Sequence, residues 1–206
     1  FLGASSYDMS YGIDFDSDGN IYTAGYVQST DFPTTPGVFD TDNSGSMDAF
    51  ITKFDPECTE LIYSTYFGGS GYDAANMCIV ADDNTCYVGG FAGSSDLPTT
   101  SMGGILQATY GGGTYDGFVV RINANATAII RCTYIGGTGN DTQQGLALDS
   151  DGYVYTCGWT DNATFPVTEN AFQTTYGGVK DGTLCKLTPD MSAFVYSTFI
   201  GGADDD

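Results

Sequence analysis

GYVQSTDFP at residues 25–33 returns as GFAGSSDLP at 90–98 and again as GWTDNATFP at 158–166. The flanking segments keep the same shift. Asp8 in SSYD matches Asp73 in SGYD, Asp141 in TGND and Asp206 in GADD, at spacings of 65, 68 and 65 residues. The three additional residues of the second repeat fall between Pro98 and Asp116. A unit repeated at this period buries its apolar face only against its neighbours, so the chain reads as a stacked array.

Each repeat reads as four short strands. Strand one covers Tyr11–Phe15, Met77–Ala81 and Gly145–Leu148, with alternating apolar pairs Ile13/Phe15, Cys78/Val80 and Leu146/Leu148 that predict one buried face. A hairpin turn follows, DSDGN at 16–20 and DSDGY at 149–153, where Asp supplies local hydrogen bonds and Gly the positive φ. Repeat two has Asp82-Asp-Asn-Thr85 instead. Strand two covers Ile21–Tyr26, Cys86–Phe91 and Val154–Trp159, with Gly25, Gly90 and Gly158 marking a close approach of a neighbouring group.

The connection of about 20 residues after strand two carries DFPTTPGVF and is long for a hairpin loop. Its apolar residues, Phe32, Val38 and Phe39 with Phe165, Ala171 and Phe172 in repeat three, predict a flap packed back on the array. Its polar tips, Asp40–Ser46 and Gly111–Tyr115, are the places for recognition. Strand three covers Phe50–Phe54, Phe118–Ile122 and Thr183–Leu187, with Lys53, Arg121 and Lys186 recurring on its polar side. Strand four covers Leu61–Tyr66, Ile129–Tyr134 and Phe194–Phe199 and leads into a glycine-rich step. Four antiparallel strands and a step to the next four is the plan of a β-propeller blade. The blades divide as residues 1–66, 67–134 and 135–199, with 200–206 returning to the opening register.

Several linked strings carry a family resemblance: YSTYFGGSGYD at 63–73, DSDGNIY at 16–22, DFPTTPGVF at 31–39 and DAFITKF at 48–54. They resemble the SBBP β-propeller repeat, which is found in large secreted and cell-surface proteins of bacteria and archaea. The resemblance implies an all-β propeller-type array and an extracellular address more than an activity. Repeat two departs from the pattern at Asn84-Thr85-Cys86 and at Ser101–Leu106.

Five Lys and Arg against 26 Asp and Glu leave a net charge of −21, which repels nucleic acid and anionic lipid. No apolar run is long enough for membrane insertion, and no leader or basic tail is visible. The acidity suits a solvated surface or one that collects Ca²⁺. The alternating carboxylates Asp14, Asp16 and Asp18 before Gly19 are the candidate metal ligands, although no Glu stands at the twelfth loop position and a plain turn explains them too. The recurring Asp8, Asp73, Asp141 and Asp206 form a second candidate set, read here as acceptors of backbone N–H groups that fix the crossover between blades.

Six cysteines at 58, 78, 86, 132, 157 and 185 match no zinc spacing. Their even count permits disulfides, with Cys157 and Cys185 on neighbouring strands, Cys78 and Cys86 flanking one turn, and Cys58 and Cys132 remaining; the alternative is small core residues. The sequons at Asn125, Asn140 and Asn162 are candidate glycan acceptors in a secreted protein.

The glycine runs at 68–71 and 136–139 lead into strands rather than helices and read as linkers, not phosphate loops. The chain has no His, so the commonest general base is missing. The aligned Tyr26, Phe91 and Trp159 could stack on sugars, or pack between blades. Three blades leave two open faces, so the expected function is a non-enzymatic extracellular structural protein that self-assembles blade to blade into a filament or surface layer. The rival is an adhesin or glycan-binding module; a polysaccharide-active enzyme is a weaker third.

Overall fold

The computed structural model describes residues 2–99 and 104–204. These residues form three four-stranded antiparallel sheets and no helix. Blade 1 comprises β1 (Asp8–Phe15), β2 (Ile21–Val27), β3 (Asp48–Phe54) and β4 (Leu61–Phe67). Blade 2 comprises β5 (Asp73–Val80), β6 (Cys86–Ala92), β7 (Asp116–Ile122) and β8 (Ile129–Ile135). Blade 3 comprises β9 (Asp141–Leu148), β10 (Val154–Thr160), β11 (Asp181–Leu187) and β12 (Phe194–Ile200). Strands pair in chain order within each blade, and the first strands lie side by side, β1 against β5 and β5 against β9. The outermost strands end at Phe67, Ile135 and Ile200, one residue beyond the boundaries read from the repeat.

The first strands begin earlier than the apolar alternation suggests, because each runs on through a β-bulge. Tyr11, Asn76 and Gln144 are the residues bypassed in the pairing with the second strand. An inserted residue reverses the phase of the alternation, so Asp8 and Ile13 share a face although five residues apart. Gly25 sits beside the bulge for a steric reason. A Cβ there would lie 1.9 Å from the carbonyl oxygen of Met9, and Gly90 and Gly158 stand in the same relation to Ala74 and Thr142.

The middle sheet, blade 2, is buried on both faces. The face of blade 1 carrying Tyr22, Ala24, Ile51 and Phe67 packs on the face of blade 2 carrying Cys78, Val88, Val120 and Tyr134. The opposite face of blade 2, with Tyr87, Val119 and Ile135, packs on Val154, Cys185, Leu187 and Phe199 of blade 3. Every blade therefore has a leading face that meets the blade before it and a trailing face that meets the blade after it.

The long connection is a flap that wraps the outer edge strand. In blade 1 it starts on the leading face, where Phe32 is buried against Phe50 and Tyr66 at ring separations of 4.8 and 6.0 Å. It then runs along β4 through Thr35 N–H to Ser64 O and Tyr66 N–H to Asp40 O, so the edge is covered rather than left for another chain to pair. The Tyr66 hydroxyl latches it, accepting from Phe32 N–H at 3.1 Å and donating to Ser29 O at 2.8 Å. Tyr134 repeats the latch on Leu97 and Ser94, while blade 3 has Phe199 at that position. The divergent stretch Ser101–Leu106 of this flap lies partly outside the described residues.

Candidate functional site at the blade faces

The junction between blades is built on buried carboxylates. Asp73 opens β5, accepting from Gly69 N–H at 2.8 Å and from the Ser94 hydroxyl at 2.5 Å. Asp48 opens β3 of the preceding blade and accepts from Ser44 N–H at 2.7 Å, leaving its Oδ1 buried with no hydrogen-bond partner. Both carboxylates crowd Gly68: a Cβ there would fall 2.7 Å from Asp48 Oδ1 and 2.9 Å from Asp73 Oδ2. Asp116 and Asp141 repeat the arrangement over Gly136. Asp181 stands over Gly201, and its expected companion Asp206 lies outside the described residues. Burial, with the charge of Asp73 added, pushes the Asp48 carboxyl up to about 7. Burial does the same to Asp116, to about 7, and to Asp141, to about 6.

The recurring Asp8, Asp73 and Asp141 thus hold the crossover: Ala4, Gly69 and Gly137 each donate a backbone N–H to them. At the other end of the strands the recurring basic residues have a shared task. Lys53, expected on a polar side, is buried; it pairs with Asp16 at 2.9 Å and lies 4.8 Å above the Tyr22 ring. Arg121 repeats the arrangement with Asp83 and Tyr87, and Lys186 with Asp149 and Tyr155. Against the penalty of burial, hydrogen bonds from Asn20 and Lys53 hold the Asp16 carboxyl down to about 2.

The two end faces carry the same residue positions as the interior junctions, without cover. On the leading face of blade 1, Ile13 is 75% and Phe15 70% exposed, whereas Cys78, the counterpart of Ile13 in blade 2, is 7% exposed. On the trailing face of blade 3, Ile200 is 48% exposed, against 0% for its counterparts Phe67 and Ile135. Phe172, at the flap position of Phe39, is 85% exposed, where packing was expected. The reason is visible one blade earlier. Phe39 is packed against the core of the blade 1 and blade 2 junction, and its N–H bonds Ala126 O in the β7–β8 turn of the next blade. Cys58 occupies the place of Ala126 in blade 1, with the same positive φ, and is exposed where Ala126 is buried.

The candidate metal ligands do not converge. Asp14 accepts Val80 N–H at 2.7 Å across the junction, Asp16 is taken up by its own turn and Lys53, and Asp18 is exposed. No group of three or more His, Cys, Asp or Glu able to hold a metal occurs among the described residues.

All six cysteines are free thiols, which corrects the disulfide expectation. Register explains the first pair. Cys157 stands opposite Leu184 and Cys185 opposite Thr156, so the two side chains leave opposite faces of the sheet, Cys157 exposed and Cys185 buried. Cys78 and Cys86 share the leading face of blade 2 and hydrogen-bond each other as buried thiols. Cys58 is in an exposed turn and Cys132 in the core. Of the three sequons, Asn125 is exposed. Asn140 Nδ2 donates to Asp161 at 2.7 Å and Asn162 Nδ2 to Thr160 at 2.9 Å.

The model of a beta-propeller repeat, SBBP, matches residues 2–33 and 131–166. Two stretches of the chain match this repeat. The two matched stretches fall in blade 1 and across the β8–β10 region, and the three-sheet array extends the same plan over blade 2. No curated protein matches the chain.

Proposed function

We propose that this protein is a non-enzymatic structural component of the cell exterior, and that its working surfaces are its two end faces. The trailing face of blade 3 in one copy packs on the leading face of blade 1 in the next. The observation that carries this reading is the exposure at both ends of positions that a neighbouring blade covers elsewhere: Ile13 is open where Cys78 is buried, and Ile200 is half-open where Phe67 and Ile135 are buried. The interior junctions serve as the template: hydrophobic side chains interdigitate, and the flap of one blade reaches the β3–β4-type turn of the next. In the assembled state Phe172 would therefore cover the Cys58 turn of the neighbouring copy. Burial of Ile13, Phe15, Phe172 and Ile200 supplies on the order of 1.5–3 kcal/mol per fully buried side chain. Contact of this kind is heterologous, so it closes into a ring or propagates as a filament. The acidic surface and the exposed Asn125 sequon support an extracellular address, which antibody labelling of intact cells checks.

Cross-linking tests the contact directly. Phe172→Cys, in a Cys157→Ser background, is expected to form an intermolecular disulfide with Cys58 under mild oxidation. Adding Ile13→Asp and Phe15→Asp is expected to abolish it. A chain that stays monomeric at high concentration in analytical ultracentrifugation and gives no cross-link would sink the proposal.

A further inference from the structure

Near the first strands, between blades 2 and 3, a cleft of about 520 Å³ is lined almost wholly by aromatic rings, amides and hydroxyls. Its wall is a continuous run of rings. Tyr72 stacks on Phe91 at 5.8 Å with 15° between the planes, Phe91 meets Tyr115 at 5.0 Å, and Tyr115 meets Trp159 edge-on at 6.0 Å. None is fully buried, and Tyr72 is 41% exposed. Phe91 lies at the position of Trp159 but within a covered junction, and it is still half-exposed, so this row stays open when another blade follows.

The polar groups arrive by a separate device. The bulges of β5 and β9 turn Asn76 and Gln144 out of the pairing and into the lining. Asn76 uses its Nδ2 on Gln143 O at 2.8 Å, which leaves its carbonyl oxygen as an acceptor, and Gln144 is exposed. Beside Trp159 in register stands Thr142, 4% exposed, whose hydroxyl is buried without a hydrogen-bond partner. A buried hydroxyl left unpaired costs on the order of 1–3 kcal/mol, which a ligand hydroxyl would recover. No carboxylate lines the cleft, in a chain that carries 26 Asp and Glu, and the nearest cation, Lys180, lies at its margin 4.1 Å from the Trp159 ring.

The equivalent place between blades 1 and 2 is filled. Tyr11, at the bulge, lies against Tyr26 at 5.7 Å, the Tyr26 hydroxyl bonds the Met9 sulfur at 2.9 Å, and buried Met47 replaces Tyr115. The two junctions therefore line this place with different side chains.

We propose that this cleft binds a neutral oligosaccharide. A pyranose offers an apolar C–H face to an aromatic ring and a belt of hydroxyls to amide and hydroxyl groups, the two chemistries the lining combines. The volume is that of a small-ligand site.

Trp159 is the single tryptophan of the chain, so its fluorescence reports this cleft alone. The full chain is titrated with cellotetraose, maltotetraose, mannotetraose and chitotetraose, with a proline-rich peptide in parallel. The expected result is a saturable change in emission with at least one of the four sugars. Gln144→Ala, at an exposed position, should weaken that sugar at least fivefold, and Tyr115→Ala at least tenfold, by calorimetry. Silence with all four sugars, saturation by the peptide alone, or sugar affinity unchanged in both variants overturns the proposal.

Discussion

Acidification from pH 8 to pH 5 should stabilise this protein, and substitution of one buried carboxylate should remove a measurable part of the effect. Asp48 and Asp116 are fully buried, and burial lifts each to about 7, whereas an unfolded aspartate titrates near 3.9. A carboxyl whose folded value is raised takes up a proton on folding. Its contribution is complete below the unfolded value, declines as pH rises through about 7, and is flat above that. Between pH 8 and pH 5 the folded state takes up protons at these sites, a stabilisation of roughly 3 kcal/mol for each carboxylate pair, Asp48 with Asp73 and Asp116 with Asp141. Asp48→Asn keeps an acceptor for Ser44 N–H and carries no charge, so the variant should match the parent at pH 5 and exceed it at pH 8. The assay is urea unfolding followed by Trp159 emission at half-unit steps of pH, in EDTA so that no divalent cation takes the proton's place. A parent chain equally stable at pH 5 and pH 8, or an Asp48→Asn variant with an undiminished slope, refutes the reasoning.

Two further outcomes follow from the same packing. Tyr134→Phe leaves Leu97 N–H and Ser94 O without their partner and should cost about 2–4 kcal/mol, read as a lowered urea midpoint with an unchanged slope. Iodoacetamide under native conditions should modify Cys58 and Cys157 and spare the four buried thiols, since burial pushes the Cys185 thiol up to about 12, and the hydrogen bond with Cys78 together with burial raises Cys86. Peptide mapping by mass spectrometry reads the pattern.

The all-β blade plan was legible because its signals are local. Period-two alternation, DSDGN turns and the recurring glycines report the backbone directly, and the structure places a carbonyl where a Cβ of Gly25 would be. The length of the first strands was not legible, because a bulge inverts the alternation and makes the segment before Tyr11 look like loop. The only trace in the sequence is parity: Asp8 and Ile13 share a face at an odd spacing. Cys157 and Cys185 were misjudged on the same footing, since knowing that two strands are neighbours does not fix which residues face each other. Tyr115 falls in a loop tip read from the sequence as a place for recognition, whereas Thr142 joins it in one cleft only when blades 2 and 3 are brought together, a contact on which single-strand patterns carry no information.

The separation between the two proposed surfaces has a structural logic. Packing faces repeat from blade to blade because every junction must satisfy the same geometry, and a residue that works at one junction works at the next. That is why Phe67, Ile135 and Ile200 are interchangeable apolar groups, the first two buried by the blade that follows. The bulge positions carry no such constraint. Their side chains leave the pairing, so Tyr11, Asn76 and Gln144 differ in size and chemistry without disturbing the stack. A repeat array can therefore vary recognition at the bulges while holding assembly constant at the faces. Transplanting Tyr11 chemistry into blade 2, as Asn76→Tyr, tests the division: the cleft should fill and sugar-dependent emission be lost, while the Cys58 cross-link with the Phe172→Cys variant persists. Loss of both together would mean that the two surfaces are one.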